Sequence, residues 1–468
     1  MLSFRSLEQN AIIYKGVRAL PDMIQTKTVK PILDLANNSS VQVLAKDTAT
    51  FTMEGIAYSS ACEALLHLSP RPSLVFQAKV PDGKVSIPQM LGMIEPPKDF
   101  CFRGKEIAGF HGGYVGDCFV WIPESEPVIS LGDDKTMMSR IVFHLFNHHE
   151  FMSLTEGLSE TRGRSSVAIH QTSLKSEIFR IVINSLFETS DNARGIRSEG
   201  GCKCTHAAEI CKQDGSLISG AEASNLLATL KDFFSFANGI RLAPVCATGF
   251  DAAQNEVWSC WNSPISCDPP LETWFDRNHP VQLQSLFPDF VKTLSSEVWG
   301  RPLHEAIYWY VRSCNSHSGI DANIILIQAA LELLAYTHIV NDKQLLTAKG
   351  FKDLWASDKI RLLLGSLGIP CSIPANCKSI YGLIQSNSSV KWTDLPHAFS
   401  DIRNSLVHPD VKNRDVYSQA YLDAWKAGLW MVEMVILRVC GYRDTYSNRL
   451  TTRYVGTVES VPWMQMTP

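Results

Sequence analysis

The chain has 468 residues, of which 45% are hydrophobic and 19% are charged. It can therefore bury a large core and is long enough for two or three domains. Its formal net charge of −4 excludes a surface that coats nucleic acid without selection, because such a surface needs an excess of lysine and arginine. Any contact with RNA is therefore expected to be local.

The cysteine count and the hydropathy pattern indicate a soluble protein. Thirteen cysteines, an odd number, fit a reducing compartment better than a disulfide framework. Residues 1–12 mix charged and polar side chains with apolar ones and do not resemble a secretory signal. No stretch approaches the roughly 18 uninterrupted apolar residues of a membrane-spanning helix. We expect a cytoplasmic protein without a membrane partner.

Residues 1–215 are predicted to form a β-rich domain, either a sandwich or a barrel. Short apolar runs are bounded there by Gly, Pro, Asn or Asp, as is typical of strands between turns. The predicted strands are 11–17, 41–45, 73–80, 140–146, 166–170 and 177–183. The glycine-rich segment 109–116 lacks the lysine of a phosphate-binding loop and is predicted to be a turn. Since this region shows no credible catalytic set, we expect it to recognise a ligand or protein and to regulate the rest of the chain.

Residues 216–270 are predicted to connect this domain to a third part. They contain a helix over 217–238 that ends at Gly239, followed by a hairpin over 240–261. The segment 264–280 is rich in Pro and Asp and is predicted to be a linker. A fragment that begins just after the first prolines of this linker, near residue 271, is therefore expected to fold alone.

Residues 271–468 are predicted to form an all-helical bundle. Helices are predicted over 320–341, over 351–367 with Gly368 as the stop, and over 415–440. The last of these is apolar around most of its girth, which predicts burial in the bundle or in a subunit interface.

One further helix carries the residues with the strongest chemical signal. Arg403 and His408 combine a permanent cation with a side chain that exchanges protons near neutral pH, which suits phosphodiester chemistry. On an ideal helix they point about 140° apart, whereas Asn404 and His408 are one turn apart on the same face. Pro396 is expected near the first turn, and Pro409 disfavours helical backbone at His408, so the helix is predicted to end there. The apolar stripe of this helix is Ala398, Phe399, Ile402 and Leu406.

The sequence Arg403-Asn404-x-x-x-His408 on such a helix resembles the signature of the HEPN superfamily (higher eukaryotes and prokaryotes nucleotide-binding). The resemblance extends over about residues 295–442. It implies an all-helical bundle that acts as a metal-independent endoribonuclease, with neither a cofactor nor a metal. A histidine would remove the 2′-hydroxyl proton, and Arg403 would stabilise the charge on the phosphate. Asn404 would orient His408 or the phosphate. The leaving oxygen would be protonated across the two-fold axis of a homodimer formed by the bundle.

The resemblance leaves the supporting residues open. Glu332 is a candidate partner that would hold Arg403, with an ordinary surface glutamate as the equal alternative. Lys359 and Arg361 are candidate RNA contacts, and solvated surface charge is the alternative for both. Further cations near the motif or in flanking segments are Lys412, Arg414, Arg443, Arg449 and Arg453.

A second class of function also stays open. The bundle would then be a non-catalytic module that binds nucleotide, RNA or a protein partner, while the β-rich domain senses a ligand. The order of a recognition domain before a ribonuclease resembles bacterial antiviral defence or toxin effectors. This last expectation rests on analogy alone.

Two groups of side chains have the chemistry of metal ligands without the spacing of a known site. The first group is Cys202, Cys204, His206 and Cys211, and the second is His144, His148, His149 and Glu150. A half-buried strand explains each group better, so no metal site is predicted.

Overall fold

The computed structural model describes residues 28–33, 40–81, 85, 94–151, 159–162, 165–186, 201–315, 319–408, 414–451, 454 and 456–464. In this part of the chain, a β-rich N-terminal region precedes a helical C-terminal region, and the β-rich region includes a curled sheet that resembles half of a barrel. The predicted order of β-rich and helical regions is confirmed. The strand predicted over 11–17 lies outside the described residues.

The first sheet is antiparallel, with the strand order β5-β4-β1-β2-β3-β7-β6. Its aromatic side chains, such as Phe51, Phe76 and Phe119, are buried in a core of their own. The strands predicted over 41–45 and 73–80 are confirmed, although the first extends further. The strands are β1 (Val41–Met53), β2 (Ile56–His67), β3 (Ser73–Lys79), β4 (Lys98–Phe102), β5 (Lys105–Glu106), β6 (Gly109–Val115) and β7 (Cys118–Pro123).

The glycine-rich segment that was predicted to be a turn is instead the edge strand β6. A Cβ atom at Gly109 would lie 2.3 Å from the carbonyl oxygen of Ile122 on β7. Gly113 has a φ of +110° and follows a register shift after His111. Glycine here permits the close approach of two strands and a β-bulge. A turn also requires glycine, so the sequence alone does not distinguish a turn from this edge strand.

The second sheet has the order β13-β14-β15-β10-β17-β18-β8. The predicted hairpin is confirmed as β17 and β18, and β17 pairs with β10, so the hairpin belongs to this sheet. The predicted strands over 140–146 and 177–183 are confirmed as β10 and β14, and 166–170 overlaps β12. The strands of the sheet are β8 (Val128–Leu131), β10 (Arg140–Phe146), β13 (Gln171–Lys175), β14 (Phe179–Ser185), β15 (Cys204–Lys212), β17 (Val245–Phe250) and β18 (Glu256–Trp261). Short two-stranded ladders join β9 (Met137–Met138) to β16 (Ile218–Ser219), β11 (Ser159–Arg162) to β12 (Ser165–Ala168), and β19 (Thr445–Tyr446) to β20 (Glu459–Ser460).

Helix α1 (Gly220–Asn238) confirms the helix predicted before the hairpin. Ser219 and Glu222 form a capping box at its start, and Gly239 ends it with a φ of +66°. The later helices are α2 (Val281–Leu294), α3 (Gly300–Cys314), α4 (Ile320–Tyr336), α5 (Ala348–Lys352), α6 (Ala356–Ser366), α7 (Lys378–Ser386), α8 (Leu395–Val407), α9 (Arg414–Tyr417) and α10 (Tyr421–Val439).

Two of the predicted helices are interrupted in the structure. A third has its predicted length only when a π-helical turn is counted with its α-helical part. The helix predicted over 351–367 is divided into α5 and α6, and Gly368 ends α6 with a φ of +69°. The helix predicted over 415–440 is divided by a 3₁₀ turn at Ser418–Ala420. The helix predicted over 320–341 is confirmed, since α4 continues as a π-helical turn over Thr337–Asp342.

The hydrophobic cores do not follow the boundaries at residues 216 and 271. The second sheet, α1 and the helical region share one continuous core, whereas the first sheet has another that is closed by Val245 and Trp261 of the second sheet. The segment 264–280, predicted to be a linker, has no helix or strand, but Trp274 is fully buried and stacks on Phe236 of α1 at 5.4 Å. The part after residue 271 is therefore not expected to fold alone, in contrast to the expectation from composition.

A buried ion pair fastens the chain that follows α10. Glu433 of α10 is completely buried and accepts hydrogen bonds from Arg449 Nε at 2.9 Å and from the Tyr310 hydroxyl at 2.6 Å. Arg449 also donates to the carbonyl oxygen of Glu272 at 3.1 Å. The Arg449 side chain, a candidate RNA contact, thus forms hydrogen bonds within the fold instead.

The two most apolar helices are covered by the chain itself. The stretch Ile320–Asp342 is long and apolar enough to span a membrane by composition, but 61% of its most apolar window is buried in the fold, as in a core helix of a soluble protein. Residues 427–437 of α10 are all buried. Packing within one chain therefore explains why α10 is apolar on most of its surface, and no subunit interface is needed for this.

Candidate functional site

Helix α8 carries the Arg403-to-His408 motif and has the predicted boundaries. Asp394 caps its start by accepting a hydrogen bond from the His397 N–H at 2.9 Å, and Pro396 lies in the first turn. His408 has φ −106° and ψ 117°, outside the helical region, and its backbone N–H donates to the Asn404 carbonyl at 3.0 Å. The helix thus ends at His408, as its position before proline predicted.

The motif residues differ in their exposure. His408 is exposed, whereas Arg403 is half-buried, and Arg403 Nη1 donates to Asn404 Oδ1 at 3.3 Å. Arg403 Nε is buried and has no hydrogen-bond partner among the described residues. The structure therefore brings Arg403 and Asn404 together, with Asn404 orienting the guanidinium, and leaves His408 free to meet a ligand at the helix end.

Contacts at the start of α8 and at Phe399 fix its direction relative to α10. The Leu395 N–H at its start donates to the Cys371 carbonyl at 2.8 Å, close in the chain to Leu367, whose carbonyl accepts from Arg438 Nε at 3.1 Å. Arg438 lies in the last turn of α10. Further along, Phe399 packs on Gly428, halfway along α10. Helix α8 therefore starts near the end of α10 and runs antiparallel to it.

Helix α4, in contrast, runs in the same direction as α10. Ile327 of α4 meets α10 at the same glycine, since a Cβ atom at Gly428 would lie 2.8 Å from Ile327 Cγ2 and 2.6 Å from Phe399 Cε2. One turn earlier on α10, Trp425 Nε1 donates to the Ser313 carbonyl at 2.7 Å. Ser313 lies at the end of α3, directly before the loop that leads into α4. The beginnings of α4 and α10 therefore share one end of the bundle with the end of α8.

These directions place Glu332 away from Arg403. Glu332 is five residues beyond Ile327 on α4, and Arg403 is four residues beyond Phe399 on a helix that runs the opposite way. At 1.5 Å per residue they are separated by about 13 Å along the bundle axis. Glu332 instead accepts from Gln328 Nε2 at 2.8 Å and lies 3.9 Å from Lys359 Nζ. The structure therefore does not bring Glu332 to Arg403, and Glu332 is not the partner that would hold Arg403.

Lys359 and Arg361 lie on α6, at the start of α8 and not at its motif end. Lys359 Nζ is 5.3 Å from the centre of the Phe351 ring and pairs with Glu332. Arg361 donates two hydrogen bonds to Asp394, with Nε 2.5 Å from Oδ2 and Nη2 3.1 Å from Oδ1. Burial alone would raise the pKa of Asp394, but hydrogen bonds from Arg361 and the His397 N–H hold it below its usual value. Both cations fasten helices together, so neither joins Arg403 in one site.

Two polar residues that the sequence analysis did not select lie at the motif end. Asn323, one turn before Ile327, is completely buried, and its Oδ1 has no partner within the described part of the chain. The Tyr421 hydroxyl is also buried without a partner there. In the sequence, Tyr421 is one of many apolar residues in the final helix, and nothing distinguishes Asn323 from other helix residues. Their role depends on helix packing, which the sequence does not display.

The side chains with the chemistry of metal ligands serve the fold. Within the described ranges, no three His, Cys, Asp or Glu side chains converge to hold a metal ion. His144 Nε2 accepts hydrogen bonds from the N–H groups of Ile32 and Leu33 at 3.1 and 3.3 Å. His206 and Cys204 point into the core from β15, and burial raises the pKa of the Cys204 thiol. Of the flanking cations, Arg414 begins α9 and Arg443 is exposed, while Lys412 and Arg453 lie outside the described residues.

Comparison with known proteins finds two matching families, and both matches lie after the first sheet. Residues 133–273 match the family described as the YopA central domain, and residues 296–460 match the YopA C-terminal domain. The first match covers most of the second sheet with α1, and the second covers the helical region from α3 to α10. A relative from Bacillus subtilis (strain 168), the SPbeta prophage-derived uncharacterized protein YopA, is 28% identical over 303 residues. The match covers 63% of this chain and 66% of the relative, just under two thirds of its length. No solved structure matches. In its central and C-terminal parts the chain is therefore similar to YopA proteins.

Proposed function

We propose that this chain is a metal-independent endoribonuclease in which Arg403 and His408 carry the reaction. The observation that supports the proposal is the position of an exposed histidine at the end of α8, one and a half turns beyond a half-buried arginine that Asn404 orients. A guanidinium offers several donors in one plane and matches the oxygens of a phosphodiester. An exposed imidazole can accept and donate protons near neutral pH.

The proposed reaction needs one proton acceptor, one proton donor and a stabilising cation. His408 removes the proton from a ribose 2′-hydroxyl, and the oxygen attacks the adjacent phosphorus. Arg403 stabilises the charge on the non-bridging oxygens while the bond from phosphorus to the 5′-oxygen breaks. The products are a 2′,3′-cyclic phosphate and a 5′-hydroxyl, which takes up a proton as it leaves.

The setting of this activity belongs to the same proposal. A homodimer formed by the helical region would supply the proton donor from a second chain. The N-terminal β-rich region would restrain the ribonuclease or deliver its target, in a cytoplasmic defence or toxin effector. The relative is prophage-derived by its name, and conflict between phage and host is a setting in which such an effector would act.

A second candidate follows from the partial burial of Arg403. A guanidinium that is held by Asn404 and half-covered by the bundle suits binding as well as catalysis. The helical region would then bind nucleotide, RNA or a protein partner without cleaving it, and the β-rich region would sense a ligand.

The test compares His408→Ala and Arg403→Ala with the wild-type chain on RNA in the presence of EDTA. Each substitution should lower the cleavage rate by about 100-fold or more, as expected for loss of a general base or of the main stabilising cation. Both residues lie outside the apolar stripe of α8, so the melting temperature should change little. Sequencing of RNA ends and a chemical test for 2′,3′-cyclic phosphate report the reaction.

A matched control is His397→Ala, which removes a histidine from the other end of the same helix. Only the backbone N–H of His397 caps α8, so this variant should retain cleavage. Cleavage that persists in both motif variants, or that stops when EDTA is added, would contradict the mechanism. RNA binding without cleavage would favour the second candidate.

A further inference from the structure

Three buried polar atoms at the motif end of the bundle have no hydrogen-bond partner in the part of the chain that the structure describes. They are Arg403 Nε on α8, Asn323 Oδ1 on α4 and the Tyr421 hydroxyl on α10. Buried polar groups are almost always hydrogen-bonded, because leaving one unpaired costs its full desolvation free energy. The structure has other such atoms, but these three lie on adjoining helices, so one polar ligand at this end of the bundle could satisfy them together.

Helix geometry brings the three side chains to one level. Measured from the layer of Phe399, Ile327 and Gly428, Arg403 is one turn further along α8, and Asn323 is one turn back along α4. Because α8 and α4 run in opposite directions, these displacements have the same sense, and each is about 6 Å.

Tyr421 lies slightly deeper towards the motif end. It is seven residues before Gly428, about 10 Å along the axis and on nearly the same face of α10, so it faces α8 and α4. This level falls between Arg403 and His408, since His408 is nine residues beyond Phe399. Along the bundle axis, Tyr421 therefore lies at a level between the two motif residues.

The chemistry of the three atoms fits a ribose phosphate. Arg403 Nε and the Tyr421 hydroxyl can donate to phosphate oxygens, while Asn323 Oδ1 can only accept. A phosphodiester offers acceptors alone, whereas an RNA nucleotide adds the 2′-hydroxyl, a donor that DNA lacks. Two donors beside one acceptor match the alternation of phosphate and 2′-hydroxyl along a single strand of RNA.

We propose that Asn323 and Tyr421 complete the RNA site of Arg403, with the Tyr421 hydroxyl bonded to the scissile phosphodiester and Asn323 Oδ1 bonded to a ribose 2′-hydroxyl. This inference rests on the proposed ribonuclease function and deepens it. The Tyr421 hydroxyl adds a second donor from the same chain at the reacting phosphate, and the leaving 5′-oxygen can take its proton there. The phenolate is then reprotonated from solvent, so Tyr421 takes the place of the proton donor from a second chain that the proposed function included.

The decisive variant is Tyr421→Phe, which removes one oxygen and keeps the ring. Its matched control is Tyr336→Phe, the same change on α4 beyond Glu332, at the opposite end of the bundle. We expect Tyr421→Phe to lower kcat at least tenfold on single-stranded RNA, whereas Tyr336→Phe cleaves like wild type. The melting temperature of Tyr421→Phe should stay equal or rise, because an unpaired buried hydroxyl is removed. A residue with a purely structural role would instead lose stability together with activity.

Binding separates this inference from the proposed function. In the His408→Ala chain, a labelled single-stranded RNA should bind more tightly than DNA of the same sequence. Asn323→Leu should reduce that preference for RNA, and Tyr421→Phe should weaken the binding of both strands.

The outcomes are distinct. If the wild type cleaves RNA and Tyr421→Phe cleaves equally well, the inference fails and the ribonuclease proposal stands. If the wild type binds RNA in a manner that depends on Tyr421 but cleaves nothing, the inference holds and the ribonuclease proposal fails. Absence of both cleavage and RNA binding overturns both.

Discussion

At the scale of single residues, burial determines which histidines of this chain can carry charge. His144 and His148 are buried, and burial lowers the pKa of each to about 4. His408 is exposed at the end of α8. The same side chain therefore serves as a neutral packing group in the second sheet and as a candidate proton carrier in the helical region.

The buried histidines predict a loss of stability in mild acid. The unfolded chain binds protons at these rings near pH 6.5, and the folded chain does so only near pH 4. Their contribution to the free energy of unfolding is therefore fully present above about pH 6.5 and is lost as the pH falls towards 4. Urea unfolding should show a decrease on the order of 2 kcal/mol per ring between about pH 7.5 and pH 5.

One variant checks this assignment. His148→Gln removes one titrating ring and should reduce the dependence of the free energy of unfolding on pH. If His148→Gln and the wild type lose stability equally, the buried ring is not the source of the effect.

At the scale of elements, the crossing of three helices at Gly428 sets the geometry of the candidate site. A hydrogen atom in place of a side chain lets α8 and α4 approach α10 through Phe399 and Ile327. This contact fixes how far Arg403 and Asn323 lie from the start of α10. The site residues are therefore positioned by an apolar contact one turn away from them.

Gly428→Ala should destabilise the chain although alanine is the better helix former. The new methyl group would lie 2.6 Å from Phe399 and 2.8 Å from Ile327. Overpacking of this kind costs about 1–3 kcal/mol, more than the roughly 1 kcal/mol that alanine gains over glycine in a helix. RNA cleavage should fall as well, because α8 is displaced. Gly365→Ala on α6, where no atom lies within 4 Å, is the matched control and should raise stability. Thermal unfolding of both variants measures the difference, and equal gains would show that the crossing is loosely packed.

Local signals explain which elements the sequence predicted. Gly239 and Gly368 adopt left-handed backbone at helix ends, and Pro396 sits in the first turn of α8, so these boundaries follow from the residues themselves. The separation of Glu332 from Arg403 could not be predicted in this way, because it follows from helix directions set by contacts such as that of Arg438 with Leu367. Arg403 and His408 were selected for their chemistry, whereas Asn323 and Tyr421 became visible only as buried atoms without partners.

At the scale of the whole molecule, the continuous core ties the second sheet to the helical region. Trp274 stacks on α1, and Gln284 of α2 donates to Thr172 of β13 at 2.9 Å. The first sheet contributes a separate core and adjoins the second through contacts such as Phe102 with Trp261. The cooperative unit is therefore expected to begin near residue 125.

Two fragments test this division. Residues 125–468 should give one cooperative thermal transition, because they retain the second sheet, α1 and the helices. Residues 271–468 should aggregate or unfold without cooperativity, because the aromatic partners of Trp274 and Phe290 on α1 are lost. Near-ultraviolet circular dichroism and calorimetry distinguish the two. A cooperative transition in the shorter fragment would instead support the domain boundary that the sequence predicts near residue 271.

The ion pair between Glu433 and Arg449 also affects the order in which the chain can mature. The ribosome makes α10 before it makes Arg449, so the Glu433 carboxylate emerges without the counter-charge that it needs in the interior. A lone carboxylate is too costly to bury, and α10 cannot settle between α3 and α4 until the segment after it has followed. We therefore expect α10 to pack into the bundle, and the Arg403 site to form, only after synthesis has passed residue 449.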